Sequence, residues 1–409
     1  MCAGISENIS MDDTRDAMIP ITKPYLTKAE AEAVQAVLAS GWVSQGPKVK
    51  EFELKFAAYT GAAHACAVSS CTAALHLALL GVGVQRDDLV ATVSHSFIAT
   101  ANSVLQCGAE PRFLDIQPGT LNLDPEALRN FFDQDCTIDK DIIVEKNSKK
   151  RVAAVLVPHQ VGIPCDLESI VALCKKHDLP LVEDAACAIG SEIKWQEQWE
   201  KIGKPHGGVA CFSLHPRKVI TTGEGGMITT DSAELDGKFR LLRHHGMSIS
   251  DSIRHGSKKV IFEKYVVPGF NYRMTDIQAA IGIQQLGKLP AIVTRLRQLR
   301  AYWIEKLESI NWLECLPTPA ATRPNWQSLP MILASDAPCS RDQLMQYLLG
   351  KGIASRPGIM NIHDEEPFFK YRTELPNSKW GRDNVILMPL YYELKESAID
   401  RVARILAEL

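Results

Sequence analysis

No two of the 11 cysteines are spaced as Cys-x-x-Cys, and their odd number and scatter argue against both a disulfide framework and a zinc site. They read as reduced packing residues. None of the 11 histidines stands in a His-Glu-x-x-His spacing, so metal catalysis has no support and no metal is expected. No apolar run is long enough to span a bilayer, and the first 15 residues lack the basic-then-apolar layout of a signal peptide. The expected compartment is the cytoplasm. A net charge of −3 with 23% charged residues leaves neither the basic stripe of a nucleic-acid binder nor a membrane-surface patch. No repeat period emerges either. What remains is a chain of 409 residues, 46% hydrophobic, sized for two domains sharing a core and for a small-molecule partner.

Residues 1–18 are polar and aperiodic and read as a disordered tail, followed by a large domain over 19–289 and a small one over 290–409. Thr27 and Glu30 form a capping-box pattern ahead of a short helix, which Gly41, Gly46 and Pro47 interrupt before a helical period resumes at Val49. From His64 to Gly190 strand-like and helix-like runs alternate, the signature of a parallel sheet with crossover helices. Residues 139–151 read as a charged surface excursion and 195–206 as a polar insertion. A helix spans Ala233 to Leu242, and 244–267 reads as a long loop. Thr275 and Gln278 mark a second capping box, and Pro290 is expected to split the periodic run after Thr275 into two helices leading to a small α+β layer.

The stretch that organises the chain is CFSLHPRKVITTGEGGMITT, residues 211–230. An apolar run ends in a polar turn holding Lys218, and Gly223, Gly225 and Gly226 lead into a second apolar run. These glycines call for positive φ or for a close approach of another group. A lone lysine in such a loop is ordinarily a solvated surface residue. Its company overturns that reading. Ser70-Cys71-Thr72 opens a helix whose free amides and positive dipole end suit a phosphate, although a Ser before a helix is commonly only a cap. Asp184 ends an apolar strand, a costly place for a carboxylate unless a cation meets it. A phosphate, a ring cation and an aldehyde that condenses with an amine describe pyridoxal 5'-phosphate.

Lys218 in SLHPRKVITTGEGG, together with Glu183-Asp-Ala-Ala-Cys187, Ser70-Cys-Thr-Ala-Ala-Leu75 and Asn271-Tyr-Arg-Met-Thr-Asp-Ile-Gln278, resembles the DegT/DnrJ/EryC1/StrS family of pyridoxal-phosphate-dependent sugar aminotransferases, from about Ile19 to the C-terminus. The resemblance implies fold type I: an α/β large domain with a mostly parallel sheet sandwiched by helices, plus a smaller C-terminal α+β domain. It implies that Lys218 bonds covalently to the cofactor aldehyde and that Asp184 pairs with the pyridine nitrogen. Phe97 sits where the family stacks an aromatic ring. Cys71, Thr72 and Ser213 match phosphate-binding positions, and Asn271 matches a phosphate contact donated by the neighbouring subunit of a homodimer with shared active sites. Two positions depart from the pattern: Cys71 stands where Gly is common, and Cys187 where a Gln commonly reaches the phenolic oxygen of the cofactor. His159 is an alternative donor for that contact. Arg273 is a candidate receiver of a substrate anion, an interfacial salt bridge being the other reading, and His215 is read as structural.

The implied reaction moves an amino group from L-glutamate to a ketone of a nucleotide-linked sugar. A keto-cyclitol acceptor and a non-catalytic cofactor-binding regulator are the alternatives. Lys218 speaks against a dehydratase relative, in which His replaces the lysine.

Overall fold

The computed structural model describes residues 18–140, 142–248 and 262–409. The tail over 1–17, Asp141 and the middle of the long loop, 249–261, lie outside the described residues.

Seven strands form the main sheet: β1 (His64–Val68), β2 (Leu89–Val93), β3 (Glu110–Leu114), β6 (Val152–Pro158), β7 (Leu181–Asp184), β10 (Gly208–Ser213) and β11 (Gly226–Thr230). Their order is β1-β11-β10-β7-β6-β2-β3, and only β11 runs against its neighbours. The period of two along each strand divides the core into two layers. Ala65, Ala67, Ala91, Val155, Ala210 and Phe212 join one cluster with Phe52 and Phe56. Cys66, Val68, Val90, Leu156, Val209 and Cys211 join the other, with Leu75, Leu77 and Phe239. A sheet covered on both faces is what nearly continuous apolar strands require.

The helices begin where the sequence marks them. In α1 (Lys28–Ser40) Thr27 and Glu30 close the capping box, and the αL residue Gly41 ends it. Helix α2 (Pro47–Thr60) has its proline at the first position, where no amide is needed. Helices α3 (Cys71–Gly81), α4 (Ala99–Gln106), α5 (Pro125–Asn130) and α6 (Leu167–Lys176) lie in the crossovers between strands.

Three expectations need correction. Residues 139–151 are no mere excursion: β4 (Cys136–Asp139) pairs with β5 (Ile142–Glu145) in an antiparallel ribbon, whose isoleucines and valine favour a pleated strand. The insertion at 195–206 is likewise part of a hairpin, β8 (Glu192–Trp195) with β9 (Gln198–Lys201), and β13 (Thr322–Arg323) pairs with the other edge of β8. The turn residues Gln196 and Glu197 both have positive φ, 44° and 68°, the backbone of a two-residue hairpin turn without the usual Gly or Asn to signal it. Finally, Pro290 does not split the helix begun by the second capping box; Asp276–Leu307 is one 32-residue helix with the proline inside. Leu286, Leu289, Ile292 and Val293 are all buried around the proline, and that packing outweighs the single backbone bond it removes.

A second, antiparallel sheet of order β12-β14-β16-β15 comprises β12 (Leu313–Cys315), β14 (Leu329–Leu333), β15 (Arg356–Pro357) and β16 (Val385–Met388). Its apolar face continues the core cluster beneath the main sheet. Residue Ile19 bonds to Gly352 and Ala354 in both directions at 2.9 Å, so the first described residues are stitched to this C-terminal unit although they precede the large one in sequence.

Candidate active site

The parallel strands β1, β2, β6, β7 and β10 end along one edge of the main sheet, the place where open α/β sheets take ligands. A cleft of about 740 Å³ opens there, lined also by Gln327, Arg356, Asn361 and Glu365 from the C-terminal unit.

At the end of β1, Ser70 caps α3: its Oγ accepts from the Ala73 amide at 3.1 Å, and its carbonyl accepts from Ala74 at 3.0 Å. Among the described residues the Cys71 and Thr72 amides have no acceptor, and they stand at the positive end of the helix. Both residues line the cleft. Gly226 shows why a glycine passes beneath this turn, since a Cβ there would meet the Ser70 carbonyl carbon and oxygen at 2.5 Å. At Gly223 the demand is different, a φ of +85°.

Asp184, the last residue of β7, is 7% exposed. Its Oδ2 accepts from Thr100 Oγ at 2.8 Å and its Oδ1 from the Ala186 amide at 3.2 Å. Because the Thr100 proton is spent on Asp184, Ser96 Oγ, 2.9 Å away, donates to Thr100, making a relay of two hydroxyls behind the carboxylate. Burial pushes the Asp184 carboxyl above the ordinary value, and the bonds from Thr100 and Ala186 and the charge of Lys218 only partly offset it. A buried carboxylate in that condition favours a cation as its partner.

Lys218 enters from a loop fastened to itself. Thr221 Oγ donates to the Leu214 carbonyl at 2.8 Å, Leu214 and Thr222 amides bond to Gly225 and Leu214 at 2.9 Å, and the Lys218 amide bonds to His215 at 2.8 Å. The Lys218 Nζ lies 3.1 Å from Cys187 Sγ. Burial works to lower the ammonium, but Cys187, Cys71 and Asp184 outweigh it, and the pKa lies above the ordinary lysine value. Phe97 is 61% exposed within the cleft, a flat apolar face offered to a ligand. Ser213, 8% exposed, accepts from the His215 amide at 3.4 Å.

The structure thus gathers Cys71, Thr72, Phe97, His159, Asp184, Cys187, Ser213 and Lys218 around one cleft. His159 is fully engaged there: Nδ1 accepts from the Cys165 amide at 3.1 Å, so the proton is on Nε2 and goes to Glu183, also at 3.1 Å. His215 accepts the Arg217 amide at 3.2 Å and shapes the turn. Asn271 and Arg273 are not brought to the cleft of their own chain. Arg273 Nε donates to Asn271 Oδ1 at 3.0 Å and its guanidinium meets His244 at 3.1 Å. Sequence reasoning missed Ser96 and Thr100, because the bond to Asp184 joins residues 84 apart.

The donor set fits a phosphorylated aldehyde on a cationic ring: free amides for the phosphate, a buried carboxylate for the ring nitrogen, an aromatic face and an amine. Known proteins point the same way. A sequence profile of the DegT/DnrJ/EryC1/StrS aminotransferase family matches residues 24–407. Among solved structures, the aminotransferase TlmJ from Streptoalloteichus hindustanus is 28% identical, with 96% of this chain and 98% of that chain covered and a TM-score of 0.83. Helicobacter pylori PseC, an aminotransferase involved in the biosynthesis of pseudoaminic acid, is 25% identical over 96% of this chain and 98% of its own, at a TM-score of 0.83. The sugar aminotransferase CalS13 from Micromonospora echinospora is 26% identical over 96% of this chain and 100% of its own, at 0.81.

Proposed function

Because the chain belongs to the DegT/DnrJ/EryC1/StrS aminotransferase family, we propose that this pyridoxal-phosphate-dependent transaminase moves an amino group from L-glutamate to a ketone carbon of a nucleotide-linked sugar. The observation that carries the reading is the convergence of Lys218, Asp184 and the free Cys71 and Thr72 amides on one cleft. The acceptor class rests on sugar-acting relatives and on two cleft arginines, Arg217 and Arg356, whose guanidinium groups meet no carboxylate among the described residues and suit a diphosphate.

When bound, pyridoxal 5'-phosphate supplies an electrophilic aldehyde and an electron-accepting ring. The chain supplies the rest. The Cys71 and Thr72 amides and the α3 dipole would hold the phosphate, with Ser213 lining the same cleft. Asp184, kept in place by Thr100 and Ala186, would hold the proton on the ring nitrogen. Phe97, exposed in the cleft, would offer its face to the ring. Lys218 Nζ would be the amine that meets the aldehyde and, when neutral, the base that moves the proton at the reacting carbon. Cys187 stands beside that nitrogen.

The test is a half-reaction assay. Borohydride should fix the cofactor onto Lys218, L-glutamate should bleach the yellow holoenzyme, and a keto-sugar nucleotide should restore the colour. An adduct mapped to another lysine would overturn the site. Bleaching that no sugar of a UDP-, dTDP- and GDP-linked panel reverses would overturn the acceptor.

A further inference from the structure

Asn361 lines the same cleft yet is 1% exposed. It is fixed from both sides. Its backbone bridges to His95, the neighbouring Ile362 amide bonds to the Ser94 carbonyl at 2.8 Å, and the His363 amide bonds to Ser94 Oγ at 3.1 Å. Its side-chain oxygen faces His95 Nδ1 at 2.9 Å. A carbonyl oxygen only accepts, so the His95 proton is on Nδ1 and the Asn361 amide nitrogen is turned away from the ring. Burial holds the His95 pKa down at about 4, and the ring is neutral at physiological pH with its one proton committed to Asn361. Gln160 in turn donates to the His95 carbonyl.

The amide nitrogen of Asn361 has no partner among the described residues, although the residue is almost wholly buried. Buried donors of this kind are rarely left unpaired. Four residues on, the Glu365 carboxylate lines the cleft with no cation or donor on it among the described residues, and Asp364 beside it is held by Arg382. A neutral donor and a free carboxylate lining one cleft suit hydroxyl groups, which accept from the one and donate to the other. We propose that Asn361 determines acceptor specificity by donating its side-chain amide to a hydroxyl oxygen of the sugar, with His95 as the residue that positions it. The inference rests on the sugar-acceptor reading above.

The test compares wild type with Asn361→Asp, which keeps the shape and the oxygen that meets His95 but loses the donor, and with Asn361→Ala. The acceptors are keto-deoxyhexoses linked to UDP, dTDP or GDP. Both variants should raise the acceptor KM about tenfold or more. The single-turnover glutamate half-reaction, which also controls for folding, should stay within about twofold. His95→Phe should raise the acceptor KM likewise, and adding it to Asn361→Ala should cost little more. Unchanged acceptor KM, or equal losses in both half-reactions, would overturn the proposal while leaving the sugar reading intact. A wild-type enzyme that completes the glutamate half-reaction but aminates no sugar would overturn both.

Discussion

The two ionisable groups nearest the chemistry are perturbed in the same direction, with opposite meaning for their charge. Asp184 is raised by burial, so the folded protein holds its proton more tightly than the unfolded chain does. Stability of the cofactor-free protein therefore falls as pH climbs from the unfolded carboxyl value through the folded one, and the charged carboxylate is a cost until a cation meets it. Asp184→Asn keeps the shape and removes that cost. Cofactor-free Asp184→Asn should melt no lower than wild type at neutral pH, while amino transfer falls by about two orders of magnitude or more. Near-normal turnover would make Asp184 structural. Lys218 is also raised, so its ammonium persists until pH passes the folded value, and only the neutral amine attacks an aldehyde. Mixing cofactor-free protein with pyridoxal phosphate should give a colour-development rate that climbs with pH throughout the neutral range. A flat profile would show the amine already free. Lys218 and Asp184 were legible because each stands in a local pattern, a polar turn or a carboxylate at an apolar strand end. Thr100 and Asn361 were not, since a hydroxyl and an amide acquire roles only from partners 84 and 266 residues away.

At the level of elements, local rules were reliable where the backbone answers to its own neighbours and failed where packing decided. Both capping boxes, at Thr27 and Thr275, form as written, because they are bonds between residues three apart. Pro290 broke the rule for prolines. Its helix packs against α1 and α2, and buried side chains on either side of the proline hold the two halves in line. The glycines after Lys218 were legible as a demand for space, but what fills the space was not. The answer at Gly226 is the Ser70–Cys71 backbone, so strand β11 and the turn that opens α3 are in direct contact. Gly226→Ala must push that turn away. It should lower stability by about 1–3 kcal/mol, read as a drop in melting temperature, and weaken retention of the cofactor more than it affects holoenzyme turnover at saturating cofactor. An alanine variant with unchanged melting and cofactor affinity would show that the turn can yield without loss.

On the scale of the whole molecule, the expectation to test is a site shared between two chains. Asn271 is exposed and outside the cleft of its own chain, yet Tyr272 beside it accepts from the Ser69 amide at 2.8 Å, next to the turn proposed to hold the phosphate. The preceding segment presents Phe262, Tyr265 and Val266, which are 84%, 62% and 57% exposed, an apolar surface that water does not favour. A second copy related by a two-fold axis would cover it and bring Asn271 to the opposite cleft, building two equivalent sites. Subunit mixing separates this arrangement from a site within one chain. Lys218→Ala and Asn271→Ala are each expected to be inactive alone. In a mixed dimer with shared sites, one site carries both lesions and the other carries neither. Random exchange makes about half the dimers mixed, so activity should recover to about a quarter of wild type. Were Asn271 to serve its own chain, every site in every dimer would keep one lesion, and mixing, with exchange confirmed by a mass label, would restore nothing.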